Sequence, residues 1–510
     1  MNLLELAQSF LITVYTLALV VVSIYGLHRW VLVILYFRHR KNVPTPPSTF
    51  DPLPRVTVQL PMFNESLVAK RIIEQTCQID YPRDRMQIQV LDDSTDETTE
   101  ICRQTADACR ARGFDISFVH RTNRQGYKAG ALENGLKTAT GEFVTIFDAD
   151  FIPPPDILRR SVHYFTDPKV CVVQTRWEHL NRNDSLLTRS QAMFLDGHFM
   201  IEHVARNRSD RFMSFNGTAG TWRIRAIEDA GGWRNDTLTE DLDLSYRAQL
   251  KGWKFVFLPE LASPAELPPE MDAFKAQQFR WTKGGAQTAL KMLPRLLLSK
   301  APLKVKVEGF FHLTGFTLHF YMAMLVLLLF PASCLRAASY GQASIWLTLF
   351  DMTVFTLATL SATVFYAASQ FQLFRDWRTA FKFMPMLMAL GVGMCISNTK
   401  AIFEAVIGKR SEFVRTPKYG RSVDGGAAAL PGAVRPKRKN HWLPYVEMGF
   451  GVYLGLCALL SMASVWGMLG SPFLIIFSFG FFYVSVLSFQ ARREVVVEKT
   501  AAPQVVRETV

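Results

Sequence analysis

Long apolar runs near both ends of the chain enclose a central stretch in which apolar and polar positions alternate over short distances. Residues 11–37 form the first run, which has the length needed to cross a bilayer. In the last two fifths of the chain four further runs reach that length, at 309–331, 345–368, 445–469 and 472–489. The pattern therefore predicts five membrane spans, one before the central stretch and four after it.

Another apolar run, at 383–397, is shorter and has basic residues on both sides, namely Arg375, Arg378, Lys382, Lys409 and Arg410. Basic flanks favour the cytoplasmic side of a membrane, and a single crossing would put one of the two flanks outside. We therefore expect this segment to lie at the membrane interface or to re-enter the bilayer. The same rule, applied to the basic cluster 38–41, puts the N-terminus outside and the C-terminal tail inside.

The central stretch consists of short strand patterns that alternate with amphipathic helix patterns. Strands are predicted at 56–60, 86–91, 116–119 and 143–147, and helices at 66–79, 96–112 and 127–139. This alternation is typical of βαβ units and predicts a mostly parallel sheet. Polar clusters follow the strands at 64–65, 92–94 and 148–150, at the sheet edge where such folds bind ligands.

The composition agrees with a soluble domain joined to membrane segments. Of the 510 residues, 49% are hydrophobic and only 20% are charged, a balance between those of a soluble enzyme and a membrane bundle. The net charge is +13, and much of the basic excess flanks apolar runs, which favours lipid contact over nucleic-acid binding. The seven cysteines include no Cys-x-x-Cys pair, so we expect neither a disulfide framework nor a zinc site.

Two acidic pairs follow predicted strands. Asp148 and Asp150 are two positions apart, so their side chains point the same way and suit Mg²⁺ or Mn²⁺ bridging a diphosphate. Asp92 and Asp93 are suited to accept hydrogen bonds from a nucleotide base or ribose. For each pair the alternative to a ligand-binding role is a solvated turn. Near Asp93 this turn would also cap the next helix.

Two further candidates lie at predicted helix N-termini. Lys128 opens the third helix, where it either binds an anion or forms a simple loop-to-helix junction. Glu240 and Asp241 precede the helical run 242–250, where acidic side chains stabilise the helix dipole. Alternatively, Asp241 takes the proton from an attacking sugar hydroxyl. The chain contains neither a Walker pattern nor G-x-G-x-x-G, which disfavours P-loop and dinucleotide-binding proteins.

The remaining candidate site residues lie on one polar helix face and in one later segment. Gln277, Arg280 and Trp281 lie three and four positions apart, on one helical face. They are suited to a diphosphate and a stacked sugar ring, or to an amphipathic helix at the membrane surface. A segment that follows, 413–418, carries a Thr and a Lys that could close on a phosphate.

These motifs, in this order, resemble the processive members of glycosyltransferase family 2: cellulose synthases, hyaluronan synthases and especially the cellulose-synthase-like glucomannan synthase group. The resemblance is dense over 55–285 and thinner over 410–418. The family's D, D-x-D, T/V-E-D and Q-x-x-R-W series corresponds to Asp92 and Asp93, Asp148 and Asp150, Glu240 and Asp241, and Gln277, Arg280 and Trp281.

The resemblance implies an α/β GT-A fold between transmembrane helices and an inverting transfer in which Asp241, beside Glu240, is the base. It implies that the nucleotide sugar contacts Glu65, Asp92, Asp93, Lys128 and Asp148, and that Mg²⁺ or Mn²⁺ binds Asp148 and Asp150. It assigns the acceptor and pyrophosphate to Gln277, Arg280, Trp281 and Trp222. The segment 411–420 resembles a gating loop with Phe413, Thr416 and Lys418, although Arg415 replaces the family's Val.

On this interpretation the chain has three parts. A transmembrane anchor at 1–41 precedes a cytoplasmic catalytic domain at 42–290, and membrane and interfacial helices follow at 291–510. We expect a multi-pass protein of the inner or plasma membrane whose helices export the polymer. Asp351 lies inside an apparent span, where it either faces the export channel or marks a span that begins later.

The leading hypothesis is a processive synthase that makes β-glucan from UDP-glucose. The alternatives are a GDP-mannose-dependent β-mannan or glucomannan synthase, a non-processive lipid glycosyltransferase, and a transporter with an inactive transferase-like domain. The gating-loop-like segment disfavours the lipid enzyme, and the intact carboxylates disfavour the transporter. The expected partners are the donor, the growing polysaccharide and the bilayer, with an envelope export partner left open.

Overall fold

The computed structural model describes residues 3–340, 344–409, 415–421, 442–463 and 465–501. The first half of the central domain alternates strands and helices, as the pattern predicts. Its strands are β1 (Val56–Met62), β2 (Met86–Asp92), β3 (Asp115–His120) and β4 (Phe143–Ile146). The helices between them are α2 (Ser66–Thr76), α3 (Thr98–Ala111) and α4 (Tyr127–Leu136), with a 3₁₀ turn at Arg83–Arg85.

The second half of the domain is less regular and supplies three strands, β5 (Val170–His179), β6 (Gly220–Arg223) and β7 (Lys254–Ala265). Between them lie α5 (Ile157–Ser161), α6 (Leu186–Gly197), α7 (Val204–Arg208), α8 (Ile224–Asp229) and α9 (Glu240–Leu250), with a 3₁₀ turn at Val162–Thr166 and a π-helical turn at His198–His203.

One seven-stranded sheet joins both halves in the order β3-β2-β1-β4-β6-β5-β7. The first four strands are parallel, which confirms the prediction, and β7 is parallel to β5. Only β6, among the described strands, runs antiparallel to its neighbours β4 and β5. The domain is therefore a mostly parallel GT-A-like sheet with one reversed strand, β6, in its interior.

Both faces of the sheet are covered around β1 and β2, which explains why these two strands are buried along almost their whole length. On β1, Val58 and Leu60 face one apolar cluster. The side chains between them are polar and pair with β2: Thr57 donates to Gln87 at 2.9 Å, and Gln59 to Gln89 at 3.0 Å. Buried polar groups cost little when they are hydrogen-bonded in this way.

The remaining helices lie before and after the sheet domain. The chain begins with α1 (Leu3–His39) and continues after the domain with α10 (Met271–Leu298), α11 (Leu303–Thr314), a 3₁₀ turn at Gly315–Thr317, α12 (Leu318–Tyr340), α13 (Ser344–Phe374), α14 (Arg378–Gly393), α15 (Cys395–Val406), α16 (Leu443–Ser461) and α17 (Val465–Ala501). In α14 and α17, Gly393 and Gly480 allow backbone contact, since an added Cβ on Gly393 would lie 2.5 Å from the Gly480 carbonyl oxygen.

Within the described residues, six helical stretches are long and apolar enough to cross a membrane. Five of them contain or overlap the predicted spans, and the sixth, Arg378–Val406, contains the segment 383–397 that we expected to be interfacial or re-entrant. This sixth stretch qualifies by length and composition because α14 and α15 together extend beyond the short apolar run in both directions, and its interfacial or re-entrant placement stays a prediction. In α13, Asp351 is buried and accepts a hydrogen bond from Tyr15 of α1 at 2.7 Å, so this carboxylate joins two helices.

Candidate active site

A cleft opens beyond the carboxyl ends of β1, β2 and β4, between the sheet domain and α10. Parallel strands direct their carboxyl ends to one edge, so residues distant in sequence meet there. Most of the sequence-predicted site residues line this cleft: Glu65, Asp93, Lys128, Asp148, Asp150, Glu240, Asp241, Gln277, Arg280, Trp281, Thr416 and Lys418. Phe413 lies outside the described residues.

The two aspartates after β4 are each paired with a lysine. Lys128 donates to Asp148 at 2.5 Å and to the carbonyl oxygen of Gly217 at 2.9 Å. Lys418 lies 2.6 Å from Asp150, whose carboxylate is almost fully buried. The second carboxylate oxygen of Asp150 is buried without a hydrogen-bond partner among the described residues. An orphaned buried oxygen of this kind calls for a further cationic or donor partner.

The donor set at this point fits a divalent cation shared with a ligand. Among the described residues no group of three or more His, Cys, Asp or Glu side chains is arranged to hold a metal alone. Asp148 and Asp150 offer hard carboxylate oxygens, including the orphaned one, and Mg²⁺ commonly binds one or two carboxylates together with substrate phosphates. The residues present therefore suit Mg²⁺ or Mn²⁺ only together with a phosphate-bearing ligand.

Asp241 lies in the first turn of α9, opposite a glycine. Leu242 donates its backbone N–H to Asp241 at 2.8 Å. Gly217 has φ +79°, and an added Cβ there would stand 3.1 Å from the Asp241 carboxylate, so this position requires glycine. Burial raises the pKa of Asp241 to about 7, and the neighbouring Glu240 carboxylate adds to the rise. Asp241 is thus suited to accept a proton near neutral pH.

Three cationic side chains balance the carboxylates of the cleft. Burial lowers the pKa of Arg280 to about 10, although Asp148 and Glu240 oppose the shift. Burial also disfavours the charged form of Lys128, but Asp148 and Glu240 outweigh it and the pKa of Lys128 is raised. For Lys418 the carboxylates of Asp150, Glu65 and Asp148 outweigh burial in the same way and raise its pKa. All three side chains are therefore cations at neutral pH, as a diphosphate site requires.

The segment 415–421 enters the cleft beside α10. Thr416 accepts a hydrogen bond from Arg280 at 2.9 Å. Arg415, which departs from the family pattern, approaches Glu65 to 3.9 Å. Burial raises the pKa of Glu65 to about 7, with Lys418 and Arg415 opposing the shift. The segment 415–421 thus places Lys418 beside Asp150 of the D-x-D motif. It also places the Thr416 hydroxyl beside Arg280 of the Q-x-x-R-W motif.

Buried ion pairs fix α10 on both sides of that motif. Lys275 pairs with Glu447 of α16 at 2.5 Å and donates to Ser488 of α17 at 2.9 Å. Lys283, which is fully buried, pairs with Glu404 of α15 at 3.0 Å. Sequence reasoning did not assign these lysines, because a Lys at helical spacing is ordinarily a solvated side chain.

Asp92 does not lie in the cleft, which corrects its assignment to the nucleotide sugar. It is fully buried and pairs with His120 at 2.8 Å, while Ser94 donates its backbone N–H to it at 3.1 Å. Side chains alternate along a strand, so of the two neighbours only Asp93 faces the cleft. There Asp93 binds Arg121, and Arg121 also donates to the carbonyl oxygen of Tyr127 at 3.1 Å.

Trp222 is the second correction. It lies on β6 in the centre of the sheet, is fully buried and is absent from the cleft wall. Its ring meets Phe215, Trp233 and Phe255 edge-on at centroid distances of 5.6, 6.0 and 5.5 Å. It belongs to the core because β6 is covered on both sides, so it does not stack on an acceptor sugar.

Several cleft residues escaped sequence reasoning. Asn216 and Gly217 line the cleft, whereas Trp222, a few positions further on, was the predicted residue. Trp177 on β5 also lines the cleft. Others are Phe63, Arg124, His179 and Glu266. The Arg124 guanidinium lies 3.3 Å from the centre of the Phe63 ring, a cation–π contact that spacing along the chain does not indicate.

A GT-A-like sheet with acidic groups, cationic groups and a buried carboxylate at its ligand-binding edge defines a nucleotide-sugar-dependent glycosyltransferase. Residues 54–284 match the family model described as "Glycosyltransferase like family 2". The chain is 35% identical to glucomannan 4-beta-mannosyltransferase 2 of Arabidopsis thaliana over 415 residues, which cover 79% of this chain and 75% of the relative. The chain therefore belongs to glycosyltransferase family 2.

Two further similarities agree with this assignment. Glucomannan 4-beta-mannosyltransferase 1 of Oryza sativa subsp. japonica is 34% identical over 80% of this chain and 78% of its own length. Among solved structures, a mannosyltransferase from Pyrobaculum calidifontis in complex with GDP-Man and Mn²⁺ superimposes with a TM-score of 0.51. It is 22% identical and covers 77% of this chain and 100% of its own. At that identity the likeness supports the fold alone.

Proposed function

We propose that the protein is a processive, inverting β-mannosyltransferase that polymerises mannose from GDP-mannose into β-mannan or glucomannan. The observation that carries the proposal is the identity of about 35% to glucomannan 4-beta-mannosyltransferases over three quarters of their length. These relatives favour the mannan alternative over the β-glucan product that we placed first. UDP-glucose therefore becomes the second candidate donor.

The proposed base is Asp241. It removes the proton from a hydroxyl of the acceptor sugar as that oxygen attacks the anomeric carbon of the donor. A new glycosidic bond forms, the bond to the nucleotide diphosphate breaks on the opposite face, and the anomeric configuration inverts. The raised pKa of about 7 supports this assignment, because a base is most effective when its pKa is near the working pH.

The proposed donor site lies in the same cleft, with Lys128 close to Asp241. Lys128, Arg280 and Lys418 supply positive charge for the diphosphate, and Asp93 and Glu65 supply acceptors for the nucleoside or sugar. A divalent cation held by Asp148 and Asp150 would neutralise the negative charge that develops on the leaving nucleotide.

The proposed acceptor site is the aromatic part of the cleft. Trp281 and Trp177 both line it and offer flat faces on which a pyranose ring can stack. Gln277 lies one helical turn before Trp281, on the same face of α10. We propose that the elongated chain leaves from this side along the membrane helices, with the catalytic domain in the cytoplasm.

The first experiment offers the purified protein, in nanodiscs with Mn²⁺, GDP-mannose, UDP-glucose and UDP-N-acetylglucosamine in separate reactions. Nucleotide release and product length are followed, and the product is digested with an endo-β-mannanase. Release of GDP with a long, mannanase-sensitive polymer is the expected result. Release of UDP from UDP-glucose with a long polymer would favour the β-glucan hypothesis over the mannan proposal. A short lipid-linked product would indicate a non-processive enzyme.

A further inference from the structure

The end of the segment 415–421 docks on a single carboxylate. One oxygen of Glu266 accepts the backbone N–H of Tyr419 at 2.7 Å, and the other accepts the backbone N–H of Arg421 at 2.9 Å. The Glu266 side chain is 3% exposed. Hydrogen bonds to a charged and nearly buried acceptor are among the strong ones, so this carboxylate binds the backbone firmly.

Arg71 completes the docking site and links it to the D-x-D motif. Its guanidinium donates to Glu266 at 3.2 Å and to the backbone carbonyl oxygen of Asp150 at 3.1 Å. It also donates to the carbonyl oxygen of Arg421. Glu266 directly follows β7 and Arg71 belongs to α2, so elements of the sheet domain hold both side chains in place.

The residues just before this docking point are those that reach the proposed donor site. Lys418 directly precedes Tyr419 and approaches Asp150 to 2.6 Å. Thr416 meets Arg280 at 2.9 Å. Because one residue of backbone spans less than about 4 Å, docking of Tyr419 restricts where the Lys418 ammonium can lie.

We propose that Glu266, paired with Arg71, is a positioning residue that docks residues 419–421 and thereby holds Thr416 and Lys418 at the site of the donor diphosphate. This inference rests on the proposed nucleotide-sugar function. Glu266 acts through Lys418 and is not itself a catalytic residue.

The decisive test is a double-mutant cycle on donor kinetics. Glu266→Gln keeps the side-chain volume and removes the charge that binds Arg71 and the backbone. We expect KM for GDP-mannose to rise about tenfold, the scale of a lost charge-assisted hydrogen bond, with a smaller change in kcat. Lys418→Met should raise KM as well, and the double variant should be no worse than Lys418→Met alone, because coupled residues are not additive.

The matched control is Glu260→Gln, an exposed carboxylate on the same strand β7, which should leave KM unchanged. Fully additive effects of Glu266→Gln and Lys418→Met on KM would overturn the proposal. So would a Glu266→Gln variant that has the KM of the unmodified protein.

A second measurement needs no donor and therefore separates this proposal from the proposed function. Trypsin cleaves after Lys418 and Arg421 only when that backbone leaves its docking site. We expect Glu266→Gln and Arg71→Gln to be cleaved there at least several times faster than the unmodified protein. The cleavage rate is measured by mass spectrometry of the peptides. Equal cleavage rates would overturn the docking role even in an active enzyme. If the variants are cleaved faster but the protein does not turn over GDP-mannose, the docking role is supported and only the proposed donor is refuted.

Discussion

At the scale of single residues, the chemistry of this protein depends on where a few charges are buried. Asp241 is enclosed beside Glu240 and opposite Gly217, and its pKa rises to about 7. Lys128 stays cationic in the same cleft because Asp148 and Glu240 outweigh the cost of burial. We therefore propose that the two residues have different tasks: Asp241 accepts a proton, and Lys128 binds an anion.

Removal of the proposed base should stop transfer and leave donor binding intact. Asp241→Asn is nearly isosteric, so we expect kcat to fall by about 10² to 10⁴, the range of general-base catalysis. The affinity for GDP with Mn²⁺, measured by calorimetry, should change little. The exposed Asp107→Asn serves as the control for expression and handling. Full activity of Asp241→Asn would contradict the assignment.

The raised pKa of Asp241 also predicts the pH dependence of the rate. A base works only when it is deprotonated, so kcat/KM should fall as the pH drops through about 7, approaching tenfold per pH unit below it. Above pH 7 the carboxylate is charged and the profile should level off. A profile that stays flat down to pH 5 would exclude a base with this pKa.

Metal removal tests the role of the D-x-D carboxylates. We expect chelation of divalent cations to abolish nucleotide release and readdition of Mn²⁺ or Mg²⁺ to restore it. Asp150→Asn should raise the metal concentration needed for half-maximal activity, because a neutral amide is a weaker ligand than a carboxylate. Turnover that persists in chelator would show that Asp148 and Asp150 serve another purpose.

At the scale of elements, α10 connects the sheet domain with the membrane helices. It presents Gln277, Arg280 and Trp281 to the cleft, and it is held by the buried pairs Lys275–Glu447 and Lys283–Glu404. A buried charge pair contributes little net stability over apolar residues, but it strongly penalises the loss of one partner. These pairs are therefore suited to set the position of α10.

This geometry predicts the outcome of breaking one of these pairs. Lys275→Met removes the ammonium that pairs with the fully buried Glu447 carboxylate, which should cost about 3 to 5 kcal/mol and lower the thermal midpoint in detergent. Lys275→Met combined with Glu447→Leu should recover much of that loss, because both charges of the pair are then replaced by apolar side chains. A double variant that is less stable than Lys275→Met would contradict this account.

At the scale of the whole molecule, the GT-A-like domain joins helices that are long and apolar enough to cross a membrane. The catalytic cleft lies against α10, the element that contacts both the sheet domain and the helices α15 and α17. The proposed acceptor residue Trp281 therefore lies beside helices that are long and apolar enough to cross a membrane. We propose on this basis that the polymer is made on one side of the membrane and exported to the other.

Reconstitution in proteoliposomes tests that arrangement. In vesicles whose catalytic domain faces outward, we expect polymer made from external GDP-mannose to accumulate inside. An endo-β-mannanase added outside should then leave most of the product intact until detergent opens the vesicles. Complete digestion of the product in sealed vesicles would show that the polymer is released on the side of synthesis.

The sequence by itself determined the periodic elements, the mostly parallel sheet and the order of the motifs, because strand alternation, apolar run length and strand-end polarity are local properties. The GT-A fold followed from the resemblance of those motifs to a family. The first four strands and three helices were predicted within a few residues of their observed bounds. Family motifs then identified Asp241, Asp148, Asp150 and the face of α10, which do meet in one cleft.

Only the tertiary structure decided which way individual side chains face and what they touch. Asp92 and Trp222 carry the right residue types, yet strand alternation and coverage of the sheet direct both into the core. The docking of residues 419–421 on Glu266 joins positions more than 150 apart in the chain, and the pair Lys275–Glu447 joins positions 172 apart. Contacts of this kind arise from packing, to which spacing along the chain gives no guide.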